Sequence, residues 1–316
     1  MDIEEASRRC EEVFAEVEGA VVTDRSFLET VFLGILSRGH VLLEDVPGTG
    51  KTLTARSIAT ALGMSFSRVQ FTPDLLPADL TGTHVFNERD RSFEFNEGPL
   101  FANVVLADEI NRAPPKTQSA LLEAMEEGQV TTDGETRDLP GPFFVIATQN
   151  PVEQEGTFEL PEAQVDRFVA KASIGYPDAE GERELLYRRA DRSARSPSVD
   201  PVLSADGVQA LQRVPEAVRV EDDLIDYISA VCRGTREDPR VAVGVSPRGT
   251  QRLFEAARAR AVIESREYVT PDHVTAVARP VLAHRLVLTA DARVNDVAKE
   301  SVVGDILDEV PVPTVD

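Results

Sequence analysis

The sequence predicts an α/β domain with a parallel five-stranded sheet and helices on both faces, followed by a smaller all-helical domain. Three observations carry that expectation. Short, continuously apolar runs recur through the first half of the chain. A glycine-rich segment ending in Lys51 and Thr52 joins the first run to an amphipathic helix, and after about Pro177 the pattern turns helical. Continuous apolar runs suit strands buried on both faces, as in a parallel sheet covered by helices.

Taken in order, the predicted strands are Val41–Leu43, Phe66–Phe71, Val104–Ala107, Phe143–Thr148 and Phe168–Ile174. Between them Leu53, Ala55, Ile58, Ala59 and Leu62 have helical spacing, and Gly63 can close that helix. Leu121, Leu122 and Met125 repeat the arrangement before Gly128. Two segments break the rhythm as hairpin inserts, near 82–97 and 129–141; the second carries Asp133-Gly134 between two short runs. Beyond Pro177, Ser246-Pro247 and Thr270-Pro271 each read as an N-cap followed by proline at the first helical position. The expected division is therefore 1–177 for the α/β domain and 178–316 for the helical one. The tail VPVPTVD is expected to fray.

Composition narrows the function. Hydrophobic residues make up 42% of the 316-residue chain, which suits a globular protein of about two domains. No apolar run approaches the roughly 20 residues needed to cross a bilayer. The start, MDIEEASRRC, lacks the apolar stretch of a signal peptide, so the expected location is the cytoplasm. There, Cys10 and Cys232 are expected as unpaired thiols, and the four scattered histidines make a poor metal site. The net charge of −22 disfavours nucleic acid and anionic lipid as partners. Only Lys51, Lys116, Lys171 and Lys299 are lysines among 33 basic residues. That balance resembles proteins of halophilic organisms, in which concentrated cations screen self-repulsion.

The sharpest motif is EDVPGTGKT, residues 44–52. A phosphate chain needs backbone N–H groups converging on its oxygens, and glycine lets the backbone come close. Val46, Pro47, Gly48, Thr49, Gly50, Lys51, Thr52 and Leu53 are the expected nucleotide-binding residues for ATP. Within them Lys51 reaches the β/γ-phosphates and the Thr52 hydroxyl binds Mg²⁺. The general P-loop pattern wants glycine at position 45, where this chain has Asp45. Aspartate tolerates positive φ better than most residues, which would let the loop form.

A second motif, VVLADE, ends a buried strand in Asp108 and Glu109, expected beside the P-loop strand. Asp108 would hold the Mg²⁺ shell and Glu109 would polarise the attacking water as general base. The run FFVIATQN ends in Asn150, placed to hydrogen-bond the γ-phosphate or the lytic water. Arg167, in LPEAQVDRF, and Arg248, in SPRGTQRL, carry guanidinium groups that suit γ-phosphate oxygens and equally suit surface ion pairs.

These pieces in this order resemble the AAA+ superfamily. ADEINRAPPKTQSALLEAMEEGQVT, FVIATQNPVEQEGTFELPEAQVDRF and SPRGTQRL narrow the resemblance to the MoxR family, from about His40 to Arg252, with only a weak match over the first 25 and last 60 residues. The EDVPG start is compatible with that family. The resemblance implies that Asn150 is the sensor-1 residue, that Arg167 is an arginine finger acting in trans, and that Arg248 is a sensor-2 arginine acting in cis. It also makes the two hairpins the helix-2 insert and the pre-sensor-1 insert of a clade that includes magnesium-chelatase ATPase subunits, and it implies a ring homo-oligomer, expected as a hexamer. By the same resemblance the function is chaperone-like remodelling of partner proteins. Von Willebrand factor A domain proteins are the usual partners, and metal-cofactor insertion is a recurrent theme. Two other readings compete with it. One is a nucleic-acid motor of the same clade, which the acidic charge opposes. The other is a nucleotide-gated switch with negligible turnover, which Glu109, Asn150 and Arg167 oppose.

Overall fold

The computed structural model describes residues 1–150, 158, 160–190 and 197–313. Residues 151–157 and 159 of the TQNPVEQEGTFEL stretch, and 314–316 of the expected frayed tail, lie outside the described residues. The chain opens with helices α1 (Ile3–Ala20) and α2 (Arg25–Leu36), then runs through β1 (Val41–Glu44), α3 (Lys51–Ala61) and β2 (Phe66–Gln70). A short α4 (Pro77–Thr81) leads into the hairpin β3 (Gly82–Asn87) and β4 (Ser92–Glu97). Next come β5 (Val104–Asp108), α5 (Pro115–Glu127) and the second hairpin, β6 (Gln129–Thr132) and β7 (Glu135–Asp138). The strands β8 (Phe144–Gln149) and β9 (Ala170–Ala172) flank α6 (Glu162–Val165).

The five sheet strands are parallel and run in the order β2-β5-β8-β1-β9. One expectation is corrected here. The strand of Asp108 and Glu109 does not sit beside the P-loop strand, because β8 pairs with both β1 and β5 and lies between them. Strand order depends on which crossovers pack, and no local pattern encodes it.

Pleating divides each strand between two faces. Leu42, Val105, Ala107, Val145 and Ala147 point to one face, against Leu121, Leu122 and Met125 of α5. Val41, Leu43, Val104, Leu106, Phe144 and Ile146 point to the other, against α1, α2 and α3. Complete burial of such a side chain contributes about 1.5–3 kcal/mol, so each strand is held from both sides.

The N-terminal helix, which the sequence matched only weakly, belongs to this core. Asp2 caps it by accepting from the Glu5 N–H at 2.8 Å. Ala6, Cys10, Val13, Phe14 and Val17 then form a buried stripe, with Phe14 meeting Phe32 of α2 edge-on at 4.5 Å. Cys10 and Cys232 are both free and buried, and burial pushes the Cys10 thiol up to about 12.

The C-terminal part contains α7 (Ala179–Ala190), α8 (Ala205–Leu211), α9 (Asp222–Glu237), α10 (Pro247–Ile263), α11 (Pro271–Leu282), α12 (Ala290–Val294) and α13 (Lys299–Glu309). Helices build this part, as expected, with one addition. A small antiparallel pair, β10 (Val241–Val243) and β11 (Val287–Leu288), joins the approach to α10 with the turn after α11. Strands this short carry too little alternation to be read from sequence. The core of this part is continuous with one sheet face through α1, α2 and α3. Among the described residues, no helix is long and apolar enough to cross a membrane.

The two hairpins touch each other. His84 of β3 pairs with Asp133 at the tip of the second hairpin (Nδ1 to Oδ2, 2.9 Å), and the Arg137 guanidinium lies 4.1 Å over the Phe95 ring. Asp133 (φ 54°) and Gly134 (φ 83°) give the turn its positive dihedrals, as the Asp-Gly pair predicts. On the first hairpin Phe86 and Phe93 are 50% and 69% exposed, with ring centroids 5.3 Å apart.

Candidate active site

The carboxyl ends of β1, β5 and β8 open into one cleft of about 470 Å³. The loop after β1 forms its floor. Gly48 and Gly50 take φ of +91° and +88°, a region closed to most side chains, and Gly50 is the N-cap of α3. The amides that begin α3 therefore point into the cleft, an arrangement suited to anions. Pro47, Gly48, Gly50, Lys51, Thr52 and Leu53 line the cleft. Val46 and Thr49 sit behind them: the Thr49 hydroxyl donates to the Val46 carbonyl at 3.4 Å. The Lys51 ammonium donates to the carbonyls of Val46 (2.8 Å) and Asp45 (3.1 Å), folded back onto its own loop.

Asp45 does not adopt the positive φ expected of it, and its backbone needs no glycine. Its side chain is the reason an aspartate fits there. The carboxylate is buried and accepts from the Ser173 hydroxyl (3.0 Å), the Ile174 N–H (2.6 Å) and the Gly175 N–H (3.0 Å). The start of the loop is thereby fastened to the segment that leaves β9 for the helical part.

Opposite the loop, Asp108 ends β5 and Glu109 follows it. Glu109 takes a left-handed conformation, φ 57° and ψ 50°, which costs a non-glycine residue of order 1–3 kcal/mol. Thr148 of β8 pins both acids. Its hydroxyl donates to Asp108 Oδ1 at 2.7 Å and accepts from the Glu109 N–H at 2.9 Å. Asn150, buried just after β8, lines the same cleft.

Sequence reasoning missed the cleft's second wall. Arg68 and Gln70 point the same way from β2. Arg68 donates to Asp108 Oδ2 from Nη2 (2.7 Å) and Nε (3.2 Å), and its Nη2 also reaches Gln70 Oε1 at 2.7 Å. Gln70 donates to Glu109 Oε2 at 2.7 Å, where Arg112 also donates at 3.0 Å. The strand reads FSRVQ, with Ser67 polar as well, so no local pattern set Arg68 and Gln70 apart.

Arg167 and Arg248 do not line this cleft. They meet each other around another hollow of about 240 Å³, which Arg38 and Arg252 also line. One carboxylate joins them: Glu126, near the end of α5, takes Arg167 at 3.1 Å and Arg248 at 2.5 Å. Arg167 also donates to the Leu122 carbonyl at 2.9 Å. Here Arg248, expected to act in cis on its own nucleotide, faces Glu126 and Arg167 and not its own phosphate loop. The start of α10 is instead tied to the segment before β9, through a 2.9 Å hydrogen bond from the Ser246 hydroxyl to Asp166.

Comparison with known proteins agrees with this architecture. Residues 40–170 match the ATPase family associated with various cellular activities (AAA), and residues 233–306 match the AAA lid domain. YeaC of Bacillus subtilis is 48% identical over 88% of this chain and 87% of its own length. The chaperone MoxR1 of Mycobacterium tuberculosis is 43% identical over 96% of this chain and 82% of its own length. A crystal structure of a candidate ATPase from Cytophaga hutchinsonii superposes with a TM-score of 0.92 at 38% identity, covering 99% of this chain and 97% of that one.

Proposed function

Because the chain belongs to the MoxR family of AAA+ ATPases, we propose that it hydrolyses ATP to ADP and phosphate in order to remodel partner proteins, working as a homo-oligomeric ring. The observation that carries this reading is the convergence of Lys51, Thr52, Asp108, Glu109 and Asn150 on one cleft. Lys51 and the amides at the start of α3 hold the β- and γ-phosphates. Thr52 and Asp108 offer hard oxygen donors of the kind Mg²⁺ takes alongside phosphate oxygens, and the bound ion supplies charge neutralisation there. Glu109 accepts the proton of the attacking water, and Asn150 orients that water or the γ-phosphate.

Arg167 and Arg248 lie outside their own chain's cleft, which supports a role for both at a neighbouring subunit's phosphates. The client reading rests on resemblance. MoxR1 of M. tuberculosis bears the name chaperone, and maturation of a von Willebrand factor A protein, with metal insertion as one outcome, is the proposed use. A hexameric, cytoplasmic ring that does not act on nucleic acid completes the proposal; the net charge of −22 and the two free thiols support it.

Phosphate release measured across a range of protein concentrations tests the reading. Specific activity should rise as subunits assemble and fall by about 10³-fold or more in Arg167→Ala. Turnover that is independent of concentration and untouched by that substitution would overturn it.

A further inference from the structure

Asp166, the residue before Arg167, has its side chain tied into the helical part of the molecule. Its Oδ1 accepts from Arg285 Nε at 2.9 Å, and its Oδ2 accepts from the Ser246 hydroxyl at 2.9 Å. Ser246 caps α10, where its oxygen accepts from the Gly249 N–H at 3.0 Å. One hydroxyl therefore links the Arg167 segment to the first turn of the helix that carries Arg248.

Arg285 grips the same segment from the turn after α11. Its Nη2 donates to the carbonyls of Asp166 (3.2 Å) and Phe168 (2.6 Å), and its Nη1 donates to that of Val169 at 3.3 Å. The guanidinium thus holds the backbone on both sides of Arg167. The Arg285 side chain is 1% exposed. Burial pulls its pKa down to about 10, against the raising effect of Asp166, so it stays cationic at neutral pH. A buried charge stabilises a fold no better than a well-packed apolar group of similar volume, so its use here points to a demand for orientation.

We propose that Asp166 and Arg285 are positioning residues for the two arginines, fixing the Arg167 backbone to the first turn of α10 so that Arg167 and Arg248 are offered to a neighbouring subunit as one rigid pair. Glu126, which takes both guanidinium groups, closes the arrangement at its exposed end. The proposal rests on the reading of Arg167 as a residue that acts in trans. A planar guanidinium stabilises a transferring phosphoryl group only when its fork is aligned, and a displacement of about 1 Å at such a contact costs on the order of 10²-fold in rate.

Mixed rings separate positioning from mere stability. Arg167→Ala subunits retain an intact phosphate loop and Lys51→Ala subunits retain an intact finger, so mixing them restores a reference activity. Arg285→Lys keeps the charge and loses the fork. Placed in the Lys51→Ala subunit, the finger donor, it should lower the recovered activity by about 10²-fold. Placed in the Arg167→Ala subunit, which contributes only its loop, it should leave recovery close to the reference. Equal recovery in both placements overturns the proposal, as does equal loss in both, which would mark a purely structural role. Failure of the unmodified pair to recover activity overturns the trans reading and this proposal with it. If Arg285→Lys does not fold, Asp166→Asn preserves volume and carries the same asymmetric expectation.

Discussion

The side-chain amide of Gln70 donates a 2.7 Å hydrogen bond to the carboxylate of Glu109, so the residue proposed to activate water is already held from the neighbouring strand. In Glu109→Gln that hydrogen bond can persist between two amides while the base is removed. Hydrolysis should fall by about 10²–10⁴-fold with ATP affinity nearly unchanged. Equilibrium binding of a fluorescent ATP analogue, set beside phosphate release, separates the two quantities. A comparable loss of affinity would remove Glu109 from the role of base.

Lys51→Ala should act on binding instead. The ammonium rests on two carbonyls of its own loop, poised at the cleft. A charge-assisted hydrogen bond contributes about 1.5–3 kcal/mol, so Kd for ATP should rise roughly ten- to a hundredfold for each ammonium–phosphate hydrogen bond removed. Titration calorimetry reads this directly, and an unchanged Kd would contradict the assignment.

Asp45→Gly would restore the general phosphate-loop pattern and should nevertheless harm the protein. It deletes the acceptor for Ser173, Ile174 and Gly175, at a cost of about 1–3 kcal/mol for the groups left unsatisfied. The thermal midpoint should fall, and hydrogen exchange at the Ile174 and Gly175 amides should quicken. Unaltered exchange at both amides would show that the carboxylate does not fasten this segment.

Acid should destabilise the fold through His40. It is buried just before β1, with Nδ1 accepting from the Val145 N–H at 3.0 Å and Nε2 2.8 Å from the Met125 carbonyl. That pairing requires the neutral, Nε2-protonated ring, and burial lowers its pKa to about 4. An unfolded histidine titrates near 6.5, so between about pH 6.5 and about pH 4 the unfolded chain binds a proton that the folded chain refuses. Stability should therefore drop by about 1.4 kcal/mol per pH unit from this group as pH falls through that window. Urea midpoints at a series of pH values would show the slope, and a flat profile would contradict it.

The sequence made local chemistry readable and left long-range placement hidden. The apolar runs from Val41 to Val145, the glycines at 48 and 50, and Asp133-Gly134 each depend on neighbours a few residues away, so pattern alone located them. The insertion of β8 between β1 and β5 depends on packing across the whole sheet. The partners of Asp45 lie beyond position 172, and the partner shared by Arg167 and Arg248 lies on α5. Arg68 and Gln70 went unread because a polar residue in a strand declares its function only once its facing strand is known. Arg285, deep in the helical part, carried no motif at all.

The pairing of the two hairpins bears on how the molecule could be re-engineered. His84 and Asp133, with Arg137 over Phe95, couple two loops separated in the chain by β5 and α5. A chimera that imports one hairpin from a relative inherits half of that coupling and leaves the other half facing a stranger. The pair is therefore a single exchangeable cartridge: grafted together, the loops carry their mutual orientation, and the exposed Phe86 and Phe93 go with them.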